Sequence, residues 1–316
     1  MSRLTRFRPQ SILLSAVAAM LIAPALDAQV VLKSKIQPNT KRVTHVENST
    51  KQILNLNGMD IETESTQFII VHTSTGARAD DGTLQTVEAI KKLQQELKVP
   101  GINLSFDSGD PDKQAPIPQL EPILDVLRVI SKLKTTYTFN KSDKLLKVGG
   151  VEEALKDLDP AVRKTLDHIS PDSLKEKWQN AFDTIPAKPV QVGDKWEHTS
   201  VDVREAGQVL TVKRQYTYTG TIEKGGTTLH RVTTKSLEVS LTQDNPPEGS
   251  PTKLTGAKLK VAKGTGEFLI DVKRGLTVQA TDSLQMTGPL KMEINGMSFD
   301  AQLDLTIVTK STVQDD

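Results

Sequence analysis

KRVTHVENSTKQILNLNGMDIETESTQFIIVHTST, residues 41–75, alternates apolar and polar side chains on both sides of Asn57-Gly58. Alternation over so many positions has the period of a strand, and an Asn-Gly pair at its centre has the signature of a two-residue type I′ turn. The stretch therefore predicts a long antiparallel hairpin with one wet face. The same device returns in KMEINGMSFDAQLDLTIVTKST, residues 291–312, where Asn295-Gly296-Met297 corresponds to Asn57-Gly58-Met59 and Phe299 to Ile61. Two related β units, one on each side of a helical middle, are the expectation drawn from this echo.

The period changes between the two hairpins. In TLQTVEAIKKLQQELK, residues 83–98, Leu84, Val87, Ile90, Leu93 and Leu97 fall on one helical stripe. PQLEPILDVLRVISKL, residues 118–133, repeats the pattern with Leu120, Ile123, Leu124, Leu127 and Ile130, and a Pro-rich link separates the two expected helices. TTYTFNKSDKLLKVGG, residues 135–150, predicts a short hairpin with Tyr137 and Phe139 on one strand and Leu146 and Val148 on the other. Three helix starts follow: Gly149-Gly150 before VEEALKDL, Asp159 with Pro160, and Ser170 with Pro171. The last helix carries Leu174, Trp178 and Phe182 on one ridge. From Pro189 onward, turn signals at Ala206-Gly207, Gly225-Gly226, DNPPEGSP (244–251) and Arg274-Gly275 separate strand-like runs, which predicts an antiparallel meander or barrel.

The fold expected is thus α+β and β-dominated, with long antiparallel strands in two related curved β units and a helical middle segment from about 83 to 183. Its divisions are a signal peptide at 1–28, an N-terminal β unit with two inserted helices at 29–150, a helical connector at 151–185 and a C-terminal antiparallel β unit at 186–316. The leader reading rests on Arg3, Arg6 and Arg8 ahead of the apolar run SILLSAVAAMLIAPAL, with cleavage after Ala25 or Ala28. With no Cys after that run to acylate, the expected product is exported to the periplasm or the extracellular space without a lipid anchor.

Removing three Arg and Asp27 takes the formal charge from +1 to −1, so no general attraction to nucleic acid is expected. The complete absence of Cys excludes disulfides, thiolate nucleophiles and Cys-bound metals. Aromatic residues make up only 4% of the chain, which leaves Val, Ile, Leu and Thr to build the core and favours sheet.

Chemistry is sparse. In AKPVQVGDKWEHTS, residues 187–200, Asp194, Glu197 and His198 could be drawn as an acid/base cluster. In a strand, however, Trp196 and His198 share one face and Glu197 takes the other. The segment therefore predicts a turn at Val192–Lys195 leading into a strand whose Trp196 is a packing anchor, facing the helix that carries Trp178 and Phe182. His45, His72, His168, His198 and His230 are scattered without metal-ligand spacing. KGTGEF (263–268) lacks both a dinucleotide fingerprint and a phosphate loop, and is expected to be a tight turn before a strand. Tyr216 and Tyr218 are expected to form one wall of a sheet. No catalytic, cofactor-binding or metal residue is assigned, and no cofactor is expected.

IPAKPVQVGDKWEHT (185–199), FNKSDKLLKVGGVEEAL (139–155) and GTGEFLIDVKRGLTVQATDSLQM (264–286) together resemble an uncharacterised family of exported bacterial β-rich proteins, a domain of unknown function marked by a KPVxVGDxW segment. The resemblance implies an envelope location and a strand-rich fold, and carries no catalytic residues. The functional expectation is an exported, non-enzymatic envelope protein that binds a lipophilic or extended ligand between curved sheet and helices. The alternative is a structural or protein-interaction module of the envelope with no small-molecule ligand.

Overall fold

The computed structural model describes residues 29–316 apart from 157, 160, 161, 164, 165, 167, 168, 205, 206, 244, 245 and 247–251. The expected signal peptide at 1–28, His168, the Asp159-Pro160 helix start and most of DNPPEGSP lie outside the described residues. Thirteen strands are present among those described: β1 (Thr40–Leu56), β2 (Met59–Thr75), β3 (Leu84–Val99), β4 (Ile102–Asp107), β5 (Lys134–Phe139), β6 (Leu145–Gly149), β7 (Lys195–Val203), β8 (Gln208–Lys224), β9 (Thr227–Gln243), β10 (Thr252–Ala257), β11 (Lys260–Asp271), β12 (Leu276–Ile294) and β13 (Met297–Asp315). The helices whose residues are all described are α1 (Glu121–Ser131, preceded by a 3-10 turn at Pro118–Leu120), α2 (Val151–Leu155) and α3 (Pro171–Asp183).

All thirteen strands join one antiparallel sheet in the order β6-β5-β3-β2-β1-β13-β12-β11-β9-β8-β7, with β4 on β3 and β10 on β12. The two hairpins legible in the sequence form as expected. Asn57 and Gly58 sit at φ 51° and 83°, Asn295 and Gly296 at 50° and 81°, as a type I′ turn requires. They do not mark two separate units. β1 pairs directly with β13 from Arg42↔Asp315 to Leu56↔Ala301, so the two hairpins are neighbours in a single sheet.

The helical middle segment also needs correction, because residues 84–99 are β3 and the segment 83–183 contains four strands. The cause is a β-bulge. Ile70 pairs with Lys92 and Val71 with Ile90, which leaves Lys91 as an extra residue. Leu84, Thr86, Glu88 and Ile90 face inward before it, and Leu93, Gln95 and Leu97 after it. A change of parity inside a strand gives a spacing of three between Ile90 and Leu93, which imitates a helical stripe. A second bulge between Thr138 and Phe139 sends Leu145 rather than Leu146 into the core, and Leu146 is exposed. KGTGEF is likewise not a turn: Gly264 and Gly266 lie in the interior of β11.

Long antiparallel strands of this length coil, and here the sheet curls until its far parts face each other. On a flat sheet β8 and β12 would stand ~14 Å apart at the ordinary strand spacing, yet Arg214 Nη2 reaches Asp282 Oδ2 at 2.7 Å. The edges β6 and β7 are bridged by α3. Its N-cap Ser170 accepts a hydrogen bond from Ser173 N at 3.2 Å, and Pro171 occupies the first turn, as the sequence predicts. Trp178 of α3 packs at 4.9 Å (ring centroids) on the buried Phe139 and stacks on Phe182. On the other edge Lys177 pairs with Asp202 and Trp196 Nε1 donates to Thr184 O at 2.8 Å.

Residues 30–36 cross the same end of the molecule. Val30 exchanges two backbone bonds with Val190, the fully buried Leu32 packs with Tyr216, Tyr218 and Ile270, Lys35 N donates to Gly275 O, and Ile36 joins the cluster around Phe139.

Candidate functional site

The segment around Trp196 forms a turn and the start of β7. Asp194 Oδ2 accepts from Gln191 N at 3.0 Å in the turn that leads into β7, and Gly193 has φ 92°. Trp196 stacks on Tyr216 at 5.7 Å, so burial of two large rings fixes the edge strand against its neighbour. Glu197 takes the outer face and pairs with Lys213 at 2.9 Å, whereas His198 points inward opposite Arg214. Asp194, Glu197 and His198 are therefore not brought together. Tyr216 and Tyr218 line the inner wall, and Tyr218 Oη lies 2.7 Å from His230 Nδ1. Among the described residues no three His, Asp or Glu side chains gather as metal ligands. No helix among them is long and apolar enough to cross a membrane, a statement that leaves strands aside.

What the curled sheet does assemble is an interior. Toward the end bearing the Asn-Gly tips lies a cavity of about 300 Å³ whose walls include Leu54 of β1, Leu210 of β8, Leu241 of β9, Leu290 of β12 and Leu305 of β13. A second cavity, of about 610 Å³, lies between the sheet and α1, which presents Ile123, Val126, Leu127 and Ile130 to it. Leu124 and Leu127 seat α1 on Leu93, Leu104 and Phe106 of β3 and β4. Thr50 and Arg204 line both cavities, so the two adjoin at that pair. Arg204 Nε lies 3.2 Å from Asp202 Oδ2 there.

The floor of the larger cavity is an uncharged polar ladder laid across four neighbouring strands. Thr309 Oγ1 donates to Asn48 Oδ1 at 3.0 Å, Asn48 Nδ2 to Gln67 Oε1 at 3.3 Å, Gln67 Nε2 to Gln95 Oε1 at 2.9 Å, and Gln95 Nε2 to Ser65 Oγ at 2.7 Å. In register the ladder continues into Asp282, which faces Thr309. From there the Arg214–Asp282 ion pair bridges β12 and β8, and Arg214 Nη1 donates to Ser200 of β7 at 3.0 Å.

Gly266 makes the crossing possible. A Cβ at that position would stand 2.6 Å from Thr234 Oγ1 and 2.8 Å from Asp282 Oδ1, so only a glycine lets these polar side chains lie flat over β11. Gly264 does the same beneath Ser236. Among the described residues the buried Thr234 and Ser236 hydroxyls, Arg214 Nε and Asp282 Oδ1 find no hydrogen-bond partner in this belt.

A second inward carboxylate, Glu88, is drawn above its usual range by burial, an effect that a hydrogen bond from Tyr137 and the charge of Arg42 only partly oppose. A raised folded-state value means that the folded protein holds this proton more tightly than the unfolded chain does. Its contribution is present below the ordinary value of 4.5 and declines as pH rises toward the raised value. Thermal unfolding of Glu88→Gln should accordingly gain on wild type between about pH 4 and about pH 8. Parallel melting curves at both values would contradict this.

The profile of the Family of unknown function (DUF6263) matches residues 83–277. The chain belongs to this family. The matched span runs from β3 to the start of β12 and contains the KPVQVGDKW segment and both inward glycines of β11.

No curated protein matches the chain. Among solved structures, one described as lipid-protein interactions in lipovitellin aligns at 9% identity and TM-score 0.41, over 89% of this chain and 26% of that one, so this chain spans about a quarter of that protein's length. The translocator domain of the autotransporter NalP from Neisseria meningitidis aligns at 7% identity and TM-score 0.20, over 87% and 89% of the two chains. An outer membrane channel from Pseudomonas putida F1 aligns at 10% identity and TM-score 0.22, over 89% and 98%. Similarities this slight carry neither fold nor function across.

The ladder was not legible in the sequence. Asn48, Gln67 and Gln95 sit in runs where both parities are polar, so nothing there distinguishes an inward amide from a wet one. The spacing Gly264-x-Gly266 was the one available signal, because two glycines of equal parity inside a strand mark a face that something approaches closely.

Proposed function

We propose that this protein is an exported, non-enzymatic envelope protein that binds a lipophilic or extended ligand in the interior of its curled sheet. The supporting observation is the pair of adjoining cavities, about 300 and 610 Å³, walled by aliphatic side chains and by the apolar face of α1. Volumes in this range suit small-molecule ligands. Leu and Ile walls favour hydrocarbon by the ordinary gain on removing apolar surface from water. The basic and apolar run within residues 1–28 supports export.

The test is a titration of the purified protein with an uncharged apolar dye, N-phenyl-1-naphthylamine, together with native mass spectrometry after gentle purification. Saturable fluorescence enhancement is expected, and Leu305→Trp, which fills the smaller cavity from its wall, should weaken it about tenfold. Wild type that neither enhances the dye nor retains any small molecule would refute ligand carriage.

The second reading, a protein-interaction module, draws support from the paired hairpin tips, where Met59 and Met297 are 67% and 61% exposed. It would gain if Met59→Ser with Met297→Ser abolished capture of an envelope partner while dye binding stayed absent.

A further inference from the structure

Building on that reading of the interior, we infer that the ligand is an amphiphile with a neutral, hydroxyl-rich head group of the glycoside or polyol class. Its head is seated on the ladder Thr309–Asn48–Gln67–Gln95 and its chain lies in the smaller, aliphatic cavity. The juxtaposition that carries the inference is a row of uncharged amides and hydroxyls on the floor of one cavity, which adjoins a leucine-walled second one at Thr50 and Arg204.

Charge decides the class of head group. Among the described residues, the charged ones lining either cavity are Asp202 and Arg204, and they face each other at 3.2 Å. The adjoining Arg214 is matched by Asp282 at 2.7 Å. A carboxylate or phosphate would enter a partly buried space whose lining cation already has a counter-ion and would meet the oxygens of Asp202, so its lost hydration goes uncompensated. A quaternary ammonium lacks an aromatic cage among these lining residues.

Amides and hydroxyls, by contrast, offer donors and acceptors together, which is the combination a ring of hydroxyls needs. Asn48 and Gln67 each spend one amide hydrogen along the ladder and keep the second for a guest. Ser65, Thr50 and Thr309 add hydroxyls beside them.

The experiment is displacement of N-phenyl-1-naphthylamine from the full protein by n-octyl glucoside, octanoate, octyl phosphate, 1-octanol and free glucose, each below any micelle concentration. Octyl glucoside is expected to displace the dye at about tenfold lower concentration than octanoate or octyl phosphate, and ahead of octanol. Gln67→Met, and independently Thr309→Val, should shrink the glucoside-to-octanol ratio about fivefold while octanol displacement stays unchanged.

Octanoate or octyl phosphate matching octyl glucoside would overturn the head-group assignment, as would variants that keep the wild-type ratio. Glucose competing as well as its octyl form would overturn the assignment of an amphiphile. In each of these cases dye binding by wild type leaves the cavity reading standing, whereas wild type that binds no dye removes both.

Discussion

Asp282→Ala lowers the unfolding free energy by about 3 kcal/mol, the low end for breaking a buried ion pair, because the Asp282 side chain retains 27% of its exposure while that of Arg214 retains 14%. The loss comes from stranding Arg214 on the inner face, where Nη1 keeps its hydrogen bond to Ser200. Adding Arg214→Met to the same chain should recover most of it, since an apolar side chain of similar length has no charge to strand. Gly266→Ala should reproduce much of the deficit with both charges intact, because its methyl would occupy the space used by Asp282 Oδ1 and Thr234 Oγ1. Urea denaturation of the four proteins is the measurement. A double variant as unstable as the single one would mean that the pair does not hold β8 to β12.

The second large effect lies at the other end of the interior. Phe139 is 2% exposed and stands between Tyr137 on its own strand and Trp178 on α3. Phe139→Ala should cost about 3–5 kcal/mol, the usual toll of emptying an aromatic site. The damage should also concentrate where α3 spans the two sheet edges: hydrogen exchange at residues 171–183 and along β6 should accelerate more than at β1 or β13. Uniform acceleration over the whole sheet would contradict the idea that α3 is held chiefly through this contact.

Strand-forming residues were easiest to recognise where nothing interrupted their alternation. The Asn-Gly hairpins, β7 with its Trp196 anchor, and the Ser170-Pro171 start of α3 all followed from local chemistry. β3 was hidden because Lys91 shifts the parity of its own strand, and the shift is visible only beside β2, where Ile70 and Val71 supply the register.

The union of the two hairpins in one sheet was hidden for a related reason. β1 and β13 are far apart in the chain, and no feature of residues 42–56 names residues 301–315 as their partners. The interior polar row depends on register. Thr309, Asn48, Gln67 and Gln95 share a face because each lies opposite the next on neighbouring strands, and the glycines of β11 were legible as glycines but not as the floor beneath an ion pair.

The zip between β1 and β13 also sets a timetable for folding. Every residue from Arg42 to Leu56 must wait for a partner in residues 301–315, far along the chain, so the sheet has a high contact order and should assemble slowly. Until that partner arrives, β1 offers the edge from Arg42 to Leu56 unpaired and backed by a finished neighbour, an open template for another chain. A folding molecule of this protein is therefore most in need of a chaperone in the interval before β13 closes on β1.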